Sequence, residues 1–167
     1  MKMMHAVRGL GVVAAICFCV STSAADSKTA EQEVDKAVHE IVAAYGAGEP
    51  MLENYFSYYA DDISIIRGAS GRWDKASYHQ YWKDLNAQGG GVATAAIEDL
   101  RIQMSPSGDA AVTTYRMPVI RRFPGGVAPP GQDPNPNIAW NMSEVWFKDH
   151  GRWTVKSLMY VMAKPPG

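Results

Sequence analysis

The spacing of hydrophobic positions predicts three helices in the first half of the chain. Between residues 31 and 45 the apolar residues recur at the three- and four-residue intervals of a buried helix face, and Gly46 to Gly48 supply a stop. A second, shorter helix is expected after Pro50. A third is expected over residues 75–85, with Asp74 as its N-cap.

The rest of the chain has the alternation and the β-branched residues of strands. One strand is expected over 63–67, and four more over 93–104, 110–122, 138–148 and 152–163. The connection 123–137 is long and holds five prolines and three glycines. Helices followed by a run of strands predict an α+β fold, with the helices on one face of an antiparallel sheet.

The first 25 residues have the pattern of a secretory signal peptide. Lys2 and Arg8 precede a 12-residue apolar run, and small residues then lead to an expected cleavage after Ala25. The run is shorter than the roughly 20 residues that a membrane-spanning helix needs. We therefore expect an exported protein, periplasmic or secreted, with one domain over residues 26–167 and no membrane partner after cleavage.

Composition narrows the chemistry of this mature chain. Removing Lys2 and Arg8 leaves 14 basic against 17 acidic residues, a formal charge of −3, which argues against nucleic acid as a partner. Both cysteines leave with the signal peptide, so no disulfide or thiol nucleophile is expected. His39, His79 and His150 lack metal-ligand spacing, and we expect neither a metal nor another cofactor.

Polar residues interrupt strand faces that are otherwise apolar. Arg116, Glu144 and Ser157 each fall on the predicted buried face of a late strand, and Arg67 ends the first strand. If 123–137 closes a symmetric hairpin, position 116 pairs near 143, and Arg116 comes within reach of Glu144. Two interpretations stay open: a structural ion pair, or polar groups converging on a small-molecule site.

These features together resemble the nuclear transport factor 2-like (SnoaL-like) superfamily over residues 31–163. The resemblance rests on the order of elements and on Gly46-Ala47-Gly48-Glu49, Tyr59-Ala60-Asp61-Asp62, the helix within 71–85 and Val145-Trp146-x4-Gly151-x-Trp153. It implies a cone: a strongly curved antiparallel sheet wrapped around three N-terminal helices, with a pocket inside. It also implies frequent dimerisation through the outer face of the sheet.

The resemblance does not settle the activity, because this fold hosts many functions. Where ketosteroid isomerase-type members carry a base Asp and an oxyanion Tyr, this chain has Arg67 and Ile41, while Glu144 keeps the second acid. The closing segment is also similar to the association domain of calcium/calmodulin-dependent kinase II. That pattern keeps Arg116, but has Arg in place of Glu144 and His in place of Ser157 and Met159.

We therefore expect a small-molecule binder whose ligand is partly apolar, with an anionic or carbonyl group. Its expected contacts are Arg67, Arg116, Glu144 and Ser157, with walls from Trp82, Trp140 and Met159. One alternative is an isomerase, cyclase or dehydratase that uses Glu144 as general acid or base. Another is a dimeric interaction module whose outer sheet face is formed by Thr113, Tyr115, Met117, Val145 and Phe147. The 123–137 connection is either a lid or a plain hairpin loop.

Overall fold

The computed structural model describes residues 24–68, 71–130 and 133–163. Its helices are α1 (Ala24–Ala47), α2 (Leu52–Ser57) and α3 (Lys75–Ala87). Its strands are β1 (Tyr59–Arg67), β2 (Arg72–Trp73), β3 (Gly91–Ala95), β4 (Glu98–Met104), β5 (Ala110–Arg122), β6 (Asn137–Asp149) and β7 (Arg152–Met162). Within these ranges, none of the helices has the length and apolar character needed to cross a membrane.

Helix α1 buries one continuous stripe of small and branched apolar residues. Val34 and Val38 are fully buried, Ile41 is 1% exposed, and Asp35 and Lys36 between them face solvent. The helix ends at Ala47, because Gly48 takes a φ of 72°, a conformation that glycine adopts at little cost. The predicted signal peptide falls almost entirely outside the described residues, so its cleavage after Ala25 stays a prediction.

The strands form one curved, unclosed sheet in the order β2-β1-β7-β6-β5-β3, with β4 also pairing with β5. The predicted α+β fold, three helices and a curved sheet, is confirmed. The sheet is antiparallel as predicted at five pairings, and it differs at one place, since β1 and β7 pair in parallel. The two strands are far apart in the chain, so no tight turn forces them to run in opposite directions.

Two further details differ from the predicted elements. The expected strand over 93–104 is divided into β3 and β4, which both pair with β5 on the same side. The break lies at Ala96, whose backbone N–H donates to Pro118 O, and it is followed by Asp99 with a φ of 55°. The two-residue strand β2 pairs with β1 and was not anticipated, because two residues carry no periodicity.

The register between β5 and β6 and a bulge in β7 determine which residues lie on the inner face of the sheet. In β5 the buried series is Ala111, Thr113, Tyr115, Met117 and Val119, which is the opposite of the predicted alternation. Strand β6 buries Trp140, Met142, Glu144 and Trp146, as predicted. In β7 the pairing shifts at Lys156, since Val145 opposes Ser157 but Trp146 opposes Val155. Beyond this bulge the inward residues are Leu158 and Tyr160, and the predicted series through Met159 is wrong.

Candidate functional site

Glu144 lies on the inner face of β6. The residue is 1% exposed, and its carboxylate accepts three hydrogen bonds from neutral groups. Tyr115 OH donates to Oε1 at 2.8 Å, and Thr113 Oγ1 and Trp146 Nε1 donate to Oε2 at 3.0 and 3.1 Å. The three donors lie on β5 and β6, so the carboxylate ties these two central strands together.

Burial dominates the ionisation of this carboxyl. It raises the pKa of Glu144 from an ordinary 4.5 to about 7, although the hydrogen bonds from Tyr115, Thr113 and Trp146 act in the opposite direction. Among the described residues no cation forms an ion pair with Glu144. A neutral carboxylic acid is therefore accessible in this position near neutral pH.

The predicted pair between Arg116 and Glu144 does not form. In the β5–β6 ladder Arg116 opposes Asn141, while Glu144 opposes Thr113. Residues directly opposite in an antiparallel pair share a face, so Arg116 and Glu144 lie on opposite faces of the sheet. Arg116 instead forms an ion pair with Glu98 of β4, on the outer side. The prediction failed because pairing 116 with 143 already implied opposite faces for 116 and 144.

Arg67 lies where the sequence placed it, at the end of β1, and its side chain enters the cone. The guanidinium carbon is 5.9 Å from the centre of the Tyr81 ring on α3 and 5.8 Å from that of Trp140 on β6. The residue is half-buried, and it forms no ion pair with any carboxylate in the described part of the chain. Aromatic rings thus hold this charge without neutralising it.

Arg121 is a second inward arginine, which the sequence interpretation missed. Its guanidinium lies 4.8 Å from the Phe123 ring, and Nη2 donates to the carbonyls of Asp133 and Asn135. Its Nε is buried and has no hydrogen-bond partner among the described residues. An unpaired buried N–H of this kind is costly unless an acceptor reaches it.

Tyr45, near the end of α1, connects the two arginines. Burial raises the pKa of the Tyr45 hydroxyl, while the charges of Arg67 and Arg121 lower it. Both guanidinium groups therefore act on this one hydroxyl. Together these side chains form what we call the guanidinium–aromatic cluster: Tyr45, Arg67, Tyr81, Trp82, Arg121, Trp140 and Tyr160.

The remaining predicted contacts divide between the two faces. Trp82 packs edge-on against Tyr45, with 5.2 Å between the ring centres. Trp140 packs edge-on against Tyr160, with 5.3 Å between the ring centres. Both tryptophans therefore belong to the cluster. Ser157 opposes Val145 at the bulge, on the outer face. Met159 is 47% exposed on that same face. Ser157 and Met159, like Arg116, therefore do not line the cone.

Arg121 could have been found from the sequence if the buried face of β5 had been assigned correctly. It continues the buried series of Met117 and Val119 at the same two-residue interval. Tyr45 was assigned to the helix core, since its spacing alone does not distinguish a core aromatic from one at a site. No described group of three or more His, Cys, Asp or Glu side chains is placed to hold a metal ion.

Comparison with known proteins identifies the class of this fold. The SnoaL-like domain matches residues 34–157, which extend from the middle of α1 to the β7 bulge. The chain belongs to the SnoaL-like domain family. Among curated proteins, none matches the sequence.

Solved structures agree with this assignment at the level of the fold. A ketosteroid isomerase-like protein from Erwinia carotovora atroseptica is 14% identical, with a TM-score of 0.62 over 81% of this chain and 97% of that one. An NTF2-like protein of unknown function from Pseudomonas putida is 17% identical, with a TM-score of 0.60 over 83% and 89%. A protein assigned as a Ca/calmodulin-dependent kinase II association domain from Exiguobacterium sibiricum is 12% identical, with a TM-score of 0.62 over 81% and 94%. At these identities the likeness concerns the fold alone.

Proposed function

We propose that this protein binds a small, partly apolar organic anion inside the cone, at the guanidinium–aromatic cluster. The observation that carries the proposal is the presence of two inward arginines that have no carboxylate partner among the described residues. Arg67 is held between aromatic rings, and Arg121 keeps a buried, unpaired Nε–H. An anion accepting from these groups would supply the negative charge that they lack.

The surroundings of the two arginines favour an organic ligand over a simple inorganic anion. Tyr81, Trp82, Trp140 and Tyr160 contribute aromatic surface beside the charges. Trp140 and Tyr160 are 8% and 6% exposed, whereas Tyr81 and Trp82 are half-buried. Aromatic walls with a few polar anchors are the usual composition of small-molecule sites.

Titration with an aromatic carboxylate tests this proposal. We expect 2-naphthoate to quench tryptophan fluorescence on binding, and the neutral 2-naphthamide to bind at least about tenfold more weakly, a difference of roughly 1.4 kcal/mol. Arg67→Gln and Arg121→Gln should each reduce naphthoate affinity by about tenfold or more, because a charge-assisted hydrogen bond is worth about 1.5–3 kcal/mol.

Arg116→Gln is the matched control, since it removes the same charge from the outer face. Its affinity for naphthoate should equal that of the wild type. An equal loss in all three variants would indicate a nonspecific charge effect, and no binding of the carboxylate at the cluster would contradict the proposal.

Proton-transfer catalysis is a second candidate, favoured by one observation. Burial places the pKa of Glu144 at about 7, and Arg116, which would have lowered it, lies on the other face. An isomerisation, cyclisation or dehydration would use this carboxyl as general acid or base. Glu144→Gln should then abolish turnover of a converted ligand while leaving its binding largely intact.

We also propose export and self-association, as the sequence suggested. Cleavage after Ala25 would give a chain beginning at Asp26, close to the start of α1, and the intact mass of the mature protein tests this. For dimerisation the relevant outer-face residues are now Val112, Ile120, Phe147, Met159 and Val161, each at least 40% exposed. Thr113, Tyr115 and Met117 are buried inside the cone and are removed from that surface. A monomer in sedimentation at micromolar concentration would contradict dimerisation.

A further inference from the structure

A small internal cavity lies among α1, α2, α3 and β3. Its volume is about 10 Å³, and its lining is mostly apolar, with Leu52 and Val92 among its walls. Helix α3 contributes Trp82 and Asn86 to the same lining. The cavity is therefore a mostly apolar space whose lining also includes Tyr45, Tyr55 and these two polar side chains of α3.

Both of these side chains hold a buried polar atom without a protein partner. Trp82 Nε1 and Asn86 Oδ1 are inaccessible to solvent, and neither forms a hydrogen bond within the described part of the chain. The two residues are four positions apart on α3, so they lie on one face of the helix. Each unsatisfied buried group costs about 1–3 kcal/mol, so an occupant that satisfied both would be strongly retained.

The chemistry of the two atoms restricts what that occupant is. An indole N–H only donates, and an amide oxygen only accepts. A metal ion or an ammonium group cannot accept from Trp82, and a halide cannot donate to Asn86. The occupant has to accept and donate, and a volume of about 10 Å³ holds about one water molecule. We propose that this cavity is a binding site for a single ordered water that bridges Trp82 Nε1 and Asn86 Oδ1.

The backbone around the cavity supports this assignment. A Cβ at position 91 would lie 2.5 Å from Asn86 Oδ1, and Gly91 has a φ of 120°. Glycine at this position therefore leaves room for the Asn86 oxygen, which lies against the backbone at residue 91. On the other side, the Trp82 ring packs edge-on against Tyr45. The water would thus fix the polar edge of an indole that also belongs to the guanidinium–aromatic cluster, which makes it a positioning element for that wall.

Water-selective NOE and ROE spectra of the ¹⁵N-labelled full chain test the proposal. We expect a cross peak between water and the indole proton of Trp82. The indole proton of Trp146 is the internal control, because Trp146 Nε1 is also buried but donates directly to Glu144 and Thr113. It should show no such peak. Absence of a water peak at Trp82, with its indole proton protected like that of Trp146, would overturn the proposal.

A pair of variants tests the bridge itself. Asn86→Leu removes the acceptor at nearly constant size, and the water peak at Trp82 should disappear. Asn54→Leu changes an exposed asparagine on α2 and should leave the peak unchanged. A peak of full intensity in Asn86→Leu would overturn the bridging role. If that variant does not fold, a high-resolution crystal structure of the wild type decides: one density peak about 3 Å from both atoms supports the site, and its absence refutes it.

Discussion

Replacing Glu144 with glutamine should change how the stability of this protein depends on pH. A carboxyl whose pKa is about 7 in the folded state and 4.5 when unfolded releases its proton first in the unfolded chain as the pH rises. The unfolded state therefore gains stability relative to the folded state between these two values. The contribution of Glu144 is most favourable below pH 4.5 and is lost by about pH 7 to 8.

The size of this loss follows from the two values. Each tenfold difference in acidity corresponds to about 1.4 kcal/mol, so Glu144 lowers the free energy of unfolding by about 3 kcal/mol between pH 4.5 and pH 8. The glutamine variant lacks this change. Its amide oxygen still accepts from Thr113 and Trp146, but Tyr115 has to reorient toward the amide nitrogen, at a constant cost of about 1 kcal/mol.

Urea denaturation followed by tryptophan fluorescence at pH 5, 6, 7 and 8 measures the effect. The difference in unfolding free energy between Glu144→Gln and wild type should increase in favour of the variant across this range. Glu98→Gln removes a half-exposed carboxylate instead, and its difference from wild type should stay within about 0.5 kcal/mol at each pH. A Glu144→Gln difference that is equally constant would refute the reasoning, because the buried carboxyl would then not titrate differently in the two states.

Three further predictions follow from local contacts. Asp74→Ala removes the side chain that accepts a hydrogen bond from the Ser77 N–H in the first turn of α3, and urea denaturation should show a loss of about 1 kcal/mol. In the same assay Gly91→Ala should destabilise the protein more than Gly89→Ala does. Both glycines have a positive φ, but only a Cβ at position 91 would collide with Asn86 Oδ1. Equal losses of unfolding free energy would contradict this. Arg116→Ala should lower the free energy of unfolding by less than about 1 kcal/mol, as expected for its half-exposed ion pair with Glu98. A larger loss would show that Arg116 contributes substantially to the stability of the fold.

The order and type of the main elements could be predicted because their signals are local. The stripe of α1, the Asp74 cap and the alternation of β6 are each carried by neighbouring residues. The phase of β5 could not be fixed in this way. Both of its faces carry apolar residues, and Val112 and Ile120 on the outer side are 40% and 44% exposed. Alternation then identifies a strand without indicating which side is buried.

This ambiguity and the β-bulge at Lys156 caused the errors in the predicted site residues. Inverting β5 placed Arg116 inside the cone and left Arg121 out of the predicted site, whereas in the structure Arg116 lies outside and Arg121 inside. The bulge at Lys156 then transferred Met159 from the predicted wall to the outer face. Arg67, Trp82 and Trp140 were located correctly because they follow from the end of a strand, a helix stripe and the unambiguous strand β6. Long-range pairing, which decides register and bulges, is absent from local sequence patterns.

The parallel pairing of β1 with β7 has a consequence for the order of folding. Strand β7 is the last of the described elements, and it lies between β1 and β6 in the sheet. The β1–β2 edge therefore joins the main sheet only when residues 152–162 are available, so the complete sheet forms after all its other strands have been made. Such late, long-range pairing makes folding slow. If the protein is exported, as we propose, this slow pairing would favour an unfolded polypeptide at the time of export.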